Sequence, residues 1–232
     1  IDPANPEAWN DLGVLERKHD ETSRAAASFG RAVALKPDFV NAIYNLALAQ
    51  EALHQLPLAL GQSERLIQLS PRFARGHFLR GRLLWEQQQA DGAEKELREA
   101  LALEPALTEA RTLLGTVLRS RGHVSESIEQ LRQSLGENPQ SPDALFELGL
   151  ALFASGDANA ARDAFEQALR IQPDFAEARV NLAQIFESEG KLSEALDQYR
   201  LGLASAPHNE QAQIRLVRAL AGQDPEKARE LA

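Results

Sequence analysis

Residues 6–39 read PEAWNDLGVLERKHDETSRAAASFGRAVALKPDF, and residues 142–175 read PDALFELGLALFASGDANAARDAFEQALRIQPDF. Both carry a Leu-Gly pair early (Leu12-Gly13, Leu148-Gly149), an Ala-x-x-x-Phe-x-x-Ala segment later (Ala25, Phe29, Ala32; Ala161, Phe165, Ala168) and a proline near the end (Pro37, Pro173). The same punctuation runs through the chain, with prolines at 3, 37, 71, 105, 139, 173 and 207, each 34 residues from the next. Self-similarity at a fixed period of this length marks a repeat architecture and overrides any domain count drawn from length alone. Aligning on the prolines gives units 6–39, 40–73, 74–107, 108–141, 142–175 and 176–209, then a partial unit, 210–232.

Within each unit, apolar residues recur at three- and four-residue spacing through two stretches, which predicts paired amphipathic helices and not strands. In the first unit these are Ala8, Leu12, Gly13 and Leu15, then Ala25, Phe29, Ala32, Val33 and Leu35. Small residues fall where two helices must cross closely: Gly13, Ala47, Gly81, Gly115, Gly149 and Ala183, then Ala25, Ala59, Ala93, Ser127, Ala161 and Ala195. A larger side chain there would overpack the crossing. Gly122, Gly156 and Gly190 fall at the turn between helices, where a positive φ is open to glycine. Each unit's proline ends the second helix, because it lacks an amide hydrogen and restricts the residue before it. Pro57 falls at a helix start, where a missing amide hydrogen is tolerated, and Asp224-Pro225-Glu226 reads as the cap and first turn of a last helix.

The 232 residues are 44% hydrophobic and 25% charged, with 11 Pro and 14 Gly, a composition neither disordered nor fibrous. A net charge of −9 opposes the phosphate attraction on which nucleic-acid binding depends. There is no cysteine, which removes disulfides, thiolate metal sites and cysteine nucleophiles and is compatible with cytoplasm and periplasm alike. No apolar run approaches the roughly 18 residues of a membrane span. Glycine-rich phosphate loops, His-Glu-x-x-His and Gly-x-Ser-x-Gly elbows are missing. The five histidines show no ligand spacing and read as turn or surface residues, so no catalytic role, cofactor or metal is expected. The charged run Glu94 to Glu99 reads as a solvated helix face with pairing at three- and four-residue spacing. With Ile1 first and no Met in the chain, the expectation is an excerpt of a longer protein.

Trp9, Leu12, Gly13, Ala25, Phe29, Ala32 and Pro37 together resemble the tetratricopeptide consensus, and later units repeat it less fully. His77, Arg80 and Leu66 depart from it, which predicts looser packing near the third unit, with the Arg80 stem on the core and its head in water. The resemblance implies an all-α, right-handed superhelical solenoid of antiparallel helix pairs in which first helices line a concave groove. It further implies that the second, fifth, sixth, ninth and twelfth positions of each unit face that groove.

Read off this chain, those positions include Tyr44, Asn45 and Leu48 in the second unit and Arg75, Phe78, Leu79, Arg82 and Trp85 in the third. Leu113 and Arg119 follow in the fourth, and Phe146, Leu150 and Phe153 in the fifth. They form an apolar strip flanked by Arg75, Arg82 and Arg119; the alternative is that several fill gaps between helices. Aromatic and arginine residues are the usual interface anchors. The three arginines either meet an acidic group of a ligand or pair with Glu86, Glu109 or another nearby acid. Two ligand devices of the family are largely missing. Of a chaperone carboxylate clamp only Asn45 and Arg75 fit, and of an asparagine ladder only Asn45 and Asn181. The leading expectation is therefore a scaffold that binds a peptide or protein segment in its groove. The alternatives are the substrate-recruiting arm of a larger enzyme (a glycosyltransferase or sulfotransferase) or of a secretion complex, and a self-associating scaffold.

Overall fold

The computed structural model describes residues 2–221, which form thirteen α-helices and no strand. They are α1 Pro6–Lys18, α2 Thr22–Leu35, α3 Val40–Ala52, α4 Leu56–Leu69, α5 Ala74–Glu86, α6 Ala90–Leu103, α7 Thr108–Ser120, α8 Val124–Glu137, α9 Pro142–Ala154, α10 Ala158–Ile171, α11 Ala176–Ser188, α12 Leu192–Ser205 and α13 Glu210–Ala221. Odd-numbered helices start at the 34-residue interval, as do even-numbered ones, so the proline spacing is the spacing of helix pairs. The helix read at Asp224 lies outside the described residues. The chain divides into two compact units, 1–117 and 118–232.

Local chemistry sets the helix ends. Asn5, Ser141 and Asp157 each accept a hydrogen bond from the backbone amide three residues on, which satisfies an orphan donor of the first turn. Second helices stop at the residue two before each proline, and Pro57 sits in the first turn of α4. The tight turn inside each pair demands a left-handed residue. Gly122, Gly156 and Gly190 provide it at φ 81°, 89° and 75°, whereas the first three pairs use Asp20, His54 and Gln88 at φ 59°, 56° and 61°.

The core is the line along which paired helices cross. Ala25, Ala59, Ala93, Ser127, Ala161 and Ala195 are completely buried. A Cβ built on Gly13 would lie 2.6 Å from the Phe29 ring, and one on Gly149 2.5 Å from the Phe165 ring, so these glycines exist to admit the aromatic residue of the partner helix. In residues 1–117, Phe29, Ile43, Leu46 and Leu66 join one cluster of α1 to α4. In residues 118–232, Leu131, Leu148, Phe165 and Ile185 join another.

The third pair corrects three expectations. His77 and Leu66 are buried, as is Glu96 within the charged run 94–99. The His77 Nδ1 lies 2.7 Å from one Glu96 carboxylate oxygen, and the Arg80 guanidinium donates to the other at 2.6 Å and to Glu64 at 3.4 Å. The site is therefore filled by a bonded polar cluster and not loosely packed. The Arg80 head, on a side chain 28% exposed, bonds both carboxylates and still reaches water.

A second polar device recurs at the fourth residue of the 34-residue period. The side chains of Trp9, Arg111, Arg179 and Gln213 donate to the carbonyls of Pro3, Pro105, Pro173 and Pro207, and His77 Nε2 lies 3.0 Å from that of Pro71. Each closes the junction between the end of one pair and the start of the next.

Candidate functional site

In residues 1–117 the first helices of successive pairs touch, α1 against α3 and α3 against α5. Asn45 Nδ2 donates to Asn10 Oδ1 at 3.0 Å across the first contact. The Arg82 Nε donates to Glu51 Oε1 at 2.7 Å across the second, and a further guanidinium nitrogen donates to Glu51 Oε2. The fork places the Arg82 guanidinium carbon 5.4 Å from the centre of the Phe78 ring. Tyr44, Leu48, Phe78 and Trp85 remain half-buried beside this pair, and Tyr44 meets Phe73 edge-on at 5.5 Å.

Arg75 is exposed and has no hydrogen-bond or ion-pair partner among the described residues. Leu79, read as part of the strip, is 1% exposed and packs with Ala47, Ala59 and Leu83 in the core. Burial pushes the Tyr44 phenol above its usual range, while Arg75, Arg82 and Arg17 pull it down. Burial likewise raises the Glu51 carboxyl, against the opposing pull of Arg82. The charges on this face are thus partly desolvated, and Arg82 is committed to Glu51, not to Glu86.

In residues 118–232, Arg119 donates to Glu147 at 3.1 Å and not to Glu109. Phe146 leans on Phe165 and Phe175, with ring centres 5.8 and 4.9 Å away, so half of it is core. Leu150 is half-buried and Phe153 is 41% exposed. Val180, which occupies a groove position by sequence, is buried. Tyr199 donates to Glu187 at 2.5 Å, and burial together with that carboxylate raises the phenol far above its ordinary range. Among the described residues no group of three or more His, Cys, Asp or Glu is placed to hold a metal. No described helix is long and apolar enough to cross a membrane.

Tetratricopeptide repeat models match residues 10–71, 44–108, 112–174 and 152–220. The chain belongs to the tetratricopeptide repeat family. The fold of these repeats is of a protein-binding kind. No curated protein sequence matches this tetratricopeptide chain. Among solved structures it is similar to a chain of the APC/C hetero-tetramer Cut9–Hcn1, with TM-score 0.86 and 18% identity over 95% of this chain. It spans 43% of that chain's length. The type IV pilus biogenesis factor PilW follows at TM-score 0.82 and 19% identity, covering 91% of this chain and 98% of PilW. PilF of Pseudomonas aeruginosa gives TM-score 0.79 and 19% identity, covering 92% and 97%.

Of the residues singled out by sequence, the tetratricopeptide geometry groups Tyr44, Asn45, Leu48, Arg75, Phe78, Arg82 and Trp85 on α3 and α5, and Arg119, Phe146, Leu150 and Phe153 on α7 and α9. The acids that neutralise two of the arginines, Glu51 and Glu147, hold groove positions themselves: the twelfth of their repeat for Glu51 and the sixth for Glu147. Reading each column against the next would have found them, because an arginine one helix away faces each.

Proposed function

We propose that this tetratricopeptide chain is a scaffold that captures an extended or helical protein segment on the α3 and α5 face of residues 1–117. One observation carries the reading: Tyr44, Phe78 and Trp85 stay half-exposed together on two neighbouring first helices, whereas Val180 at the position equivalent to Tyr44 and Phe78 is core, and the unpaired Arg75 lies beside them. Aromatic rings held in place by Arg82 and Glu51 present apolar area at little entropic cost, which is how interface anchors act. Leu150 and Phe153 on α9 offer a second, smaller apolar patch. PilW is a pilus biogenesis factor and the other chain comes from a hetero-tetramer, which agrees with a binding role.

An affinity in the micromolar range, about −8 kcal/mol, is expected for such a face. The test selects a binding peptide from a displayed random library against the whole chain and then measures its affinity by calorimetry. Phe78→Ala with Trp85→Ala should weaken it roughly tenfold or more with helicity unchanged, while Leu58→Ala, on α4, should not. Unchanged affinity in the double variant would remove this face from the account.

A further inference from the structure

In two repeats the fourth and twenty-third residues work as a pair. Arg179 donates to the Pro173 carbonyl and, at 3.0 Å, to Gln198 Oε1. His77 lies between the Pro71 carbonyl and Glu96. Where the fourth residue is Ile43 and lacks a donor, Arg65, the twenty-sixth residue, crosses to the Pro37 carbonyl instead. A polar side chain therefore closes this junction at Pro3, Pro37, Pro71, Pro105, Pro173 and Pro207.

The repeat 142–175 has none of these parts. Its fourth residue is Leu145, its twenty-third Ala164 and its twenty-sixth Gln167, and no described side chain donates to the Pro139 carbonyl. What remains between α8, α9 and α10 is a recess of about 330 Å³, lined by Leu145, Leu148, Leu152 and Ala164 with Asp163, Gln167 and Pro139 at its edges. Asp163 is exposed and has no ion-pair partner among the described residues. Arg170 borders an adjoining depression with Leu145 and makes no bond to the Pro139 carbonyl.

We propose that this recess takes the side chain of an arginine carried by a basic segment of a partner protein. The aliphatic stem lies over Leu145, Leu148 and Ala164, and the guanidinium donates to the Pro139 carbonyl and to the Asp163 carboxylate. The chain itself shows the fit, since Arg111, Arg179 and Arg65 fill the corresponding place from within and bond the corresponding carbonyl. A planar fork with several donors serves two acceptors at once, which an ammonium does less well. An apolar anchor would gain nothing from the carbonyl and the carboxylate, which would stay bonded to water. The net charge of −9 favours the approach of a basic segment. The site is distinct from the α3 and α5 face and does not depend on it.

The test is a residue-resolved NMR titration of the whole chain with N-acetyl-argininamide, N-acetyl-lysinamide and N-acetyl-leucinamide. The arginine probe should shift the amides of residues 145, 160, 163, 164 and 167 saturably, and the lysine probe should bind more weakly. Asp163→Asn should lower the affinity about twofold to fivefold, the range of an exposed charge pair. Gln167→Arg, which places at an exposed position the residue that Arg65 is in the second repeat, should fill the recess from within and abolish the shifts. Leu145→Arg should do the same from the floor. No saturable shift at these amides, equal binding of the leucine probe, or unchanged binding in Gln167→Arg would overturn the proposal.

Discussion

Gly149 shows how a single residue is fixed by its neighbour. The Phe165 ring occupies the volume that a Cβ would need, so Gly149→Ala forces the ring or the helix to move and is expected to lower stability by about 1–3 kcal/mol. Gly136 on α8 has nothing within 4 Å of its Cβ position, so Gly136→Ala should be neutral or raise stability by up to about 1 kcal/mol through helix propensity. Denaturant unfolding of both variants checks the pair. Equal effects would mean that the ring does not hold the crossing. This level was legible in part: small residues at a fixed place in each repeat already implied a close crossing, though not which ring fills it. The turn glycines were legible too, although Asp20, His54 and Gln88 show that the same backbone is reached without glycine.

At the level of the helix pair, polar bonding decides what the apolar pattern leaves open. Periodicity fixed the helices and their buried stripes, but it read Glu96 as solvated and His77 as a surface residue. Their bond spans 19 residues and leaves no periodic trace. The signal lay in the columns instead, since His77 faces Glu96 and Arg179 faces Gln198, whereas Leu145 faces Ala164. Removing Glu96 leaves the His77 ring half-paired in a buried place and the Arg80 guanidinium with Glu64 and water. Glu96→Ala is therefore expected to cost about 1–3 kcal/mol, the loss typical of a buried group deprived of its hydrogen-bond partner. Replacing the whole cluster by Leu at 77, 80 and 96 should cost much less, and urea titration distinguishes the two. A mild effect of Glu96→Ala alone would show that the cluster is dispensable. The same reasoning separates the groove arginines, two of which are bound to acids on neighbouring helices while Arg75 is not.

For the molecule as a whole, each helix pair buries its stripe only against its neighbours, so stability accumulates locally along the chain and a face can change without the fold changing. That freedom is why the architecture was readable from prolines and glycines, while the choice of surface required knowing which groove residues are spent on one another. Leu79 and Val180 went to the core and Arg82 and Arg119 to ion pairs, and the aromatic face of α3 and α5 with Arg75 is the surface we propose a partner binds. The most direct test of that claim is hydrogen exchange of the whole chain with and without a selected peptide at saturation. The account predicts slowed exchange concentrated in residues 40–52 and 74–86, lost in the Phe78→Ala, Trp85→Ala variant. Protection confined to the second helices of the pairs, with α3 and α5 unaffected, would contradict it.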